Sequence, residues 1–355
     1  MRVQSAEFRV QSIRVVPIVL SALCILHPAL QASAKQEART GITAAPTVAR
    51  AYDLILNADF DGLAKALPST CPPAPSVACM GLEALSLWWQ IQLDPQSKAL
   101  DVPFLAKVNT AIAEAERMTR TSPASAEAWF YLGAAYGVRA QFRVHRGERL
   151  AAARDGKRIK ASLERALAID PAMHDAEFGL GMYRYYAGVA PAYLRFLRFL
   201  LLLPGGDRVD GLRQLERAAT RGVLVRGEAL YQIQILYLWY EKKWPEALEI
   251  IRDLQKRYPR NPLLRQIEAE VLDTYFHDAA ASLEASEQLL TLANNGAIER
   301  ADIADVVARL NIARQSIALK DPERARRELD QLIARQPQTP SGALARAHAL
   351  RRTLP

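Results

Sequence analysis

Two short patterns recur along this chain at fixed spacing, and they constrain its fold more than any other feature. The first consists of Trp129, Leu132, Gly133 and Tyr136, and the second of Ala166 and Pro171. The large residues of the first pattern share one face of a helix, and the glycine beside them lets a second helix approach closely. Proline cannot continue a helix interior, so the second pattern marks the end of that second helix. Together the two patterns predict a pair of helices in which large side chains of one helix pack against small residues of the other.

Two further pairs of an alanine and a proline, with a wider spacing, follow later in the chain. Ala247 and Pro259 lie 12 positions apart, and so do Ala325 and Pro337. Trp244 opens the first of these pairs, at a turn between two helical stretches. Alanine and leucine dominate the composition and alternating β-branched runs are scarce, which favours an all-α protein. The sequence therefore predicts an array of helix pairs.

These patterns resemble the tetratricopeptide repeat, a 34-residue helix pair with W-x2-L-G-x2-Y in its first helix and alanine and proline later. The resemblance covers residues 46–354 and is strongest at 125–171, 244–262 and 321–337. In the first of these, tryptophan and proline are 42 positions apart, about four helical turns more than the standard unit allows. Residues 178–218 also resemble the central part of the divergent tetratricopeptide proteins of the mitochondrial outer membrane.

The resemblance implies an all-α, right-handed α-solenoid of antiparallel helix pairs whose concave groove binds peptides or proteins. Some members of the superfamily hold a peptide carboxylate with lysine and asparagine at two groove positions. The corresponding positions here are Phe130 and Ala134, Gln232 and Leu236, and Leu310 and Arg314. Because none of these pairs has that chemistry, we do not expect this carboxylate clamp.

The first 34 residues have the features of a secretory signal. Arg2, Arg9 and Arg14 precede an apolar run, and a small-residue site ends at Ala34. The apolar run at 15–26 is shorter than the roughly 20 residues of a membrane span. We expect cleavage after Ala34, a linker at 35–45, a helical domain at 46–355 and a periplasmic or secreted protein. The alternative is an uncleaved N-terminal anchor.

Removal of that signal leaves two cysteines, Cys71 and Cys79, in a short proline-rich stretch. An even pair in an oxidising compartment predicts a disulfide. A metal site is the weaker alternative, because the stretch has no CxxC and no nearby histidine.

The net charge of +8 is concentrated in one helix pair. Residues 139–165 carry nine basic and three acidic side chains. We hypothesise a docking surface for an acidic protein or an anionic membrane, and do not expect nucleic acid in an exported protein. Its candidate residues are Arg143, Arg146, Arg149, Arg154, Lys157 and Arg158. The alternative is a solvated helix face.

An apolar stretch at 190–203, interrupted by Arg195 and Arg198, has two interpretations. It is too short to span a bilayer, so it is either a helix buried in the array or a peripheral contact with the membrane interface.

The sequence contains no recognisable catalytic constellation. It lacks HExxH, a glycine-rich phosphate loop and a nucleophile elbow. We therefore expect no cofactor, no metal and no enzymatic activity. The predicted function is an exported protein-binding scaffold of the cell envelope, with a peripheral membrane protein and an enzyme of unrecognised type as alternatives.

Overall fold

The computed structural model describes residues 40–189 and 205–354, and these are helical throughout, with no β-strand among them. The all-α class is confirmed. The signal at 1–34 and the apolar stretch at 190–203 lie outside the described residues. The helices are α1 (Ala45–Leu56), α2 (Phe60–Thr70), α3 (Ser76–Leu93), α4 (Asp101–Thr121), α5 (Ala126–His145), α6 (Arg149–Ile169), α7 (His174–Val189), α8 (Arg208–Arg221), α9 (Arg226–Leu236) with a π-helical turn at Tyr237–Glu241, α10 (Trp244–Arg257), α11 (Pro262–Thr274), α12 (Ala279–Asn294), α13 (Ala301–Ala318), α14 (Pro322–Arg335) and α15 (Ala343–Arg351).

Side-chain caps fix many of the helix starts. A capping oxygen accepts a backbone N–H that the first turn would otherwise leave without a partner. The capping residues are Asp59, Ser125, Asp207, Asn261, Asp278 and Asp321. Asp101 is the first residue of α4, and its carboxylate binds Arg146.

Glycines bring neighbouring helices together at two contacts. Gly133 of α5 lies directly against the Leu163 side chain of α6, as the sequence pattern predicted. At the α7–α8 contact, a Cβ on Gly211 would lie 2.6 Å from the backbone nitrogen of Tyr185. Any larger residue at these two glycines would push the helices apart.

Residues 41–56, which include α1, form a segment that crosses the region in which α5, α7, α9 and α11 begin. Thr43 donates its backbone amide and its hydroxyl to the Glu127 carboxylate at 2.8 and 2.9 Å. Residues 41–44, expected to belong to a linker, are thus bonded to the helical body. Three further bonds hold the segment: Gly41 N to Asp170 Oδ2 (2.8 Å), Tyr258 Oη to Asp53 Oδ1 (2.9 Å) and Asn261 Nδ2 to Leu56 O (2.7 Å).

The C-terminal helix returns to the end of α3. Ser341 donates its backbone amide and its hydroxyl to the Asp94 carboxylate, at 2.8 and 3.1 Å. Ala343 and Ala347 of α15 are buried, so this helix covers the end of the array with one face, and its Arg346 points away from that buried face.

The two cysteines lie at the α2–α3 junction. Their sulfur atoms are 2.11 Å apart, at the distance of a disulfide bond, and their Cα atoms are 6.2 Å apart. The pair ties the end of α2 to the first turn of α3.

Candidate functional site

A groove of about 710 Å³ lies beside α11, α13 and α15, and we call it the α11–α15 groove. Residues 92–96, at the end of α3, form its opposite wall, and α12 contributes Ser286 and Leu289. Asp94 and Ser341 both line the groove, and the hydrogen bond between them closes one side of it. The groove is therefore formed by helices that are far apart in the sequence.

Apolar and hydrogen-bonding side chains alternate along this groove. Arg314 donates to Asn311 Oδ1 at 2.6 Å and lies 3.1 Å from the Asp273 carboxylate. Arg346 is exposed and has no ion pair with any residue that the structure describes. Gln92 uses its oxygen to accept from Tyr231 at 3.2 Å, whereas its buried Nε2 has no partner among the described residues. The groove thus presents donors that suit the oxygen atoms of a peptide.

Four of the six positions identified by comparison with the repeat line cavities. Leu310 and Arg314, two of the positions identified by comparison with the repeat, line the α11–α15 groove. Phe130 and Ala134, the equivalent positions in the first unit, line a second cavity. Gln232 instead donates to Gln141 at 3.2 Å and to Glu228 at 3.1 Å.

The residues of the repeat pattern occupy the expected helices. Leu132, Gly133 and Tyr136 are buried in α5, and Ala166, Ala247 and Ala325 are fully buried. Trp129 is half-buried and donates its Nε1 to the Pro123 carbonyl at 3.0 Å. The three prolines, Pro171, Pro259 and Pro337, follow the last residues of α6, α10 and α14.

Two of the six candidate docking residues are occupied by internal ion pairs. Arg143 contacts the buried Asp155 carboxylate at 2.6 Å. Arg146 lies 2.6 Å from the Asp101 carboxylate and donates to the carbonyl oxygens of Pro95 and Ser97. Because these bonds join helices and loops of the protein itself, neither guanidinium is free for a partner.

The other four candidates, Arg149, Arg154, Lys157 and Arg158, are exposed and have no ion pair within the described part of the chain. Arg154, Lys157 and Arg158 lie at helical spacing on one face of α6, and Arg165 continues this face two turns later. We call these four residues, Arg154, Lys157, Arg158 and Arg165, the α6 basic row. Arg165 was not among the candidates, although its spacing of seven positions from Arg158 could have identified it.

Exposed aromatic side chains form a surface that the sequence did not reveal. Trp239 is 67% exposed, in the π-helical turn. Tyr240 follows it and contacts Tyr186 of α7, with 5.8 Å between ring centroids. Trp244, a residue of the repeat pattern, is 37% exposed and packs on Tyr275. The extra residue per turn of the π-helix changes which side chains face outward, and periodicity cannot anticipate this.

A buried carboxyl group, Glu228, lies where α9 begins. It accepts hydrogen bonds from Tyr52 (3.3 Å), Trp89 Nε1 (3.2 Å) and Gln232 (3.1 Å). No basic side chain of the described residues pairs with it. Burial raises the pKa of Glu228 above its ordinary value, and the three hydrogen bonds offset part of that rise.

The described residues contain no cluster of three or more histidine, cysteine, aspartate or glutamate side chains arranged to hold a metal ion. Within the same part of the chain, no helix combines the length and the apolar character needed to cross a bilayer.

Comparison of the chain with models of known protein families gave no match, and comparison with curated proteins gave none either.

Proposed function

We propose that this protein is an exported, tetratricopeptide-like α-solenoid that binds a partner protein in the α11–α15 groove. The groove carries the proposal, because it combines apolar walls with donors that lack partners among the described residues, Gln92 Nε2 and Arg346. Carbonyl and carboxylate oxygens of an extended peptide segment would satisfy these donors. The same groove contains repeat positions 310 and 314, at which related proteins contact peptides.

The α6 basic row supports an acidic partner. Four cations on one helix face attract negative charge over about a Debye length, roughly 8–10 Å at physiological salt. We therefore propose that the partner has an acidic surface, and that this row speeds its association.

Capture from an envelope extract with the purified protein tests both surfaces. Ala349→Trp places a large ring in the groove at an exposed position. A second variant reverses three charges of the α6 basic row: Arg154→Glu, Lys157→Glu and Arg158→Glu. A matched control reverses three exposed charges elsewhere: Arg213→Glu, Arg221→Glu and Lys256→Glu. Arg143 and Arg146 stay unchanged, since their reversal would disrupt internal ion pairs.

We expect one protein to be retained by the native chain and by the control, lost with Ala349→Trp, and weakened both by high salt and by reversal of the row. Retention of the same protein by the groove variant would contradict the groove proposal. Export is tested separately, with an enzyme active only outside the cytoplasm fused after Arg50, and a silent fusion would contradict it.

The exposed aromatic residues favour a second candidate, peripheral membrane association. Tyr186 precedes Val189, the last described residue before the apolar stretch 190–203, by three positions, and its ring contacts that of Tyr240, which follows the exposed Trp239. Aromatic side chains favour the membrane interface, where basic residues add attraction to anionic lipid. Sedimentation with anionic vesicles tests this candidate, and absence of the protein from the pellet would remove it.

A further inference from the structure

A second cavity, of about 120 Å³, lies between α1, α3, α5 and α7, away from the α11–α15 groove. Nearly all of the side chains around it are apolar. They include Val77, Leu82, Leu85, Phe130, Val138 and Phe178. A cavity with walls of this kind favours an apolar ligand, because water gains few hydrogen bonds along apolar walls.

Two glycines in this wall have no role in helix packing. A Cβ on Gly81 of α3 or on Gly137 of α5 would meet no atom within 4 Å, whereas a Cβ on Gly133 would clash with Leu163. Glycine in a helix interior costs about 1 kcal/mol relative to alanine. Close packing explains why position 133 is a glycine. At Gly81 and Gly137, by contrast, the space beside the glycine is empty. These two positions therefore keep the cavity open.

A buried hydroxyl group in the same wall lacks a partner. Tyr131 lines the cavity, is 7% exposed, and its hydroxyl has no hydrogen-bond partner among the described residues. A buried polar group without a partner is energetically unfavourable. A ligand atom that accepts a hydrogen bond would relieve this if the ring turned its buried hydroxyl toward the cavity.

The charged groups at the cavity exclude an anionic ligand. Asp175 and Glu228 both line it, and their carboxylates are already hydrogen-bonded. Asp175 accepts from the backbone amides of residues 223–225 at 2.7–3.1 Å, and Glu228 accepts from three side chains. A second anion beside these carboxylates would be repelled in a poorly solvated site.

The cavity is long and narrow. Along α5 its lining residues extend from Phe130 to Gln141, which is about 16 Å at 1.5 Å per residue. We infer that this cavity binds an unbranched, neutral aliphatic chain carrying one hydrogen-bond acceptor, as in an alkyl alcohol or an acyl ester. The chain lies along α5 between Gly81 and Gly137, and its acceptor receives the Tyr131 hydroxyl.

Isothermal titration calorimetry of the full chain with decanol tests this inference, with decanoate as the charged counterpart. We expect saturable binding of decanol and at least tenfold weaker binding of decanoate. The Cβ atom of Gly137→Leu or of Gly81→Leu would meet no other atom within 4 Å, so each leucine extends into the cavity, and we expect decanol affinity to fall at least tenfold. Tyr131→Phe removes one hydrogen bond and weakens decanol binding about fivefold.

Ala113→Leu is the control, because it adds a leucine at an exposed position of α4 outside the cavity. It leaves decanol affinity unchanged, and circular dichroism confirms that every variant is folded. Three results would overturn the inference: no saturable binding of decanol, unchanged affinity in both glycine variants, or binding of decanoate as tight as that of decanol. The third would show that the acidic residues do not select the ligand.

Discussion

The carboxyl group of Glu228 is enclosed by Tyr52, Trp89 and Gln232, and Tyr231 and Tyr258 are the further titratable groups that interact with it. Because burial raises its pKa in the folded protein, the folded state binds a proton more tightly than the unfolded chain does. The contribution of Glu228 to the free energy of unfolding is therefore full below its pKa in the unfolded chain, about 4.3. It is lost as the pH rises through the raised pKa of Glu228 in the folded protein.

Glu228→Gln keeps an oxygen that can accept from Tyr52 and Trp89 but carries no charge. We expect the variant to show a shallower fall in stability between about pH 4 and pH 8, and to exceed the native protein in stability at the alkaline end. Urea unfolding across this range measures the effect. Glu270→Gln, at an exposed position of α11, is the control. Equal pH dependence in the Glu228 variant and the native protein would contradict this account.

At the scale of elements, Asp155 joins α5 to α6. Its buried carboxylate accepts from Arg139 at 2.7 and 3.0 Å and from Arg143 at 2.6 Å. Asp155→Ala leaves two half-buried guanidinium groups without their counterion, so we expect a loss of about 3–5 kcal/mol in unfolding free energy. Glu164→Ala removes a half-exposed pair with Lys160 on the same helix and a longer one with Arg184, and should cost less than about 1 kcal/mol. Similar losses in the two variants would show that Asp155 is not a structural link.

The disulfide joins α2 to α3 through a short loop. Closing a loop with a sequence separation of eight restricts the unfolded chain enough to contribute roughly 2–3 kcal/mol. Cys71→Ser together with Cys79→Ser should lower the unfolding free energy by this amount without changing the helix content. Two free thiols in the unreduced native protein would show instead that the bond is absent in solution.

Local sequence patterns predicted the helices well, because nearby residues such as caps and prolines determine where a helix begins and ends. Leu132, Gly133 and Tyr136 of the first pattern lie in α5, and Pro171, Pro259 and Pro337 follow the ends of α6, α10 and α14. The ion pairs of Asp155 were missed, although Arg139 and Asp155 are each eight positions from Gly147. In two antiparallel helices that turn at this glycine, such residues face one another. Neither the α11–α15 groove nor the place of α1 could be predicted, because they depend on contacts across more than 200 positions.

At the scale of the whole molecule, Asp94 holds the C-terminal helix against the end of α3 through two bonds to Ser341. Asp94→Ala removes both acceptors. We expect the backbone amides of α15 to exchange with solvent about tenfold faster, while those of α5 and α6 are unchanged. Glu323→Ala, which removes an exposed surface pair on the neighbouring α14, should leave exchange in α15 as it is. Unchanged exchange in the Asp94 variant would mean that packing against α13 and α14 is enough to hold the last helix.

The position of α1 also determines the order in which the protein can be completed. Helix arrays in which each unit touches only its neighbours can form progressively from one end and unravel in stages. Here Tyr258 donates to Asp53 and Asn261 donates to Leu56, so α1 cannot make these contacts until residues 258 and 261 have been synthesised. Such distant contacts slow folding, because the entropy of closing a long loop is lost before the contacts that offset it can form. They also couple α1 to α10 and α11, so we expect these three helices to unfold together.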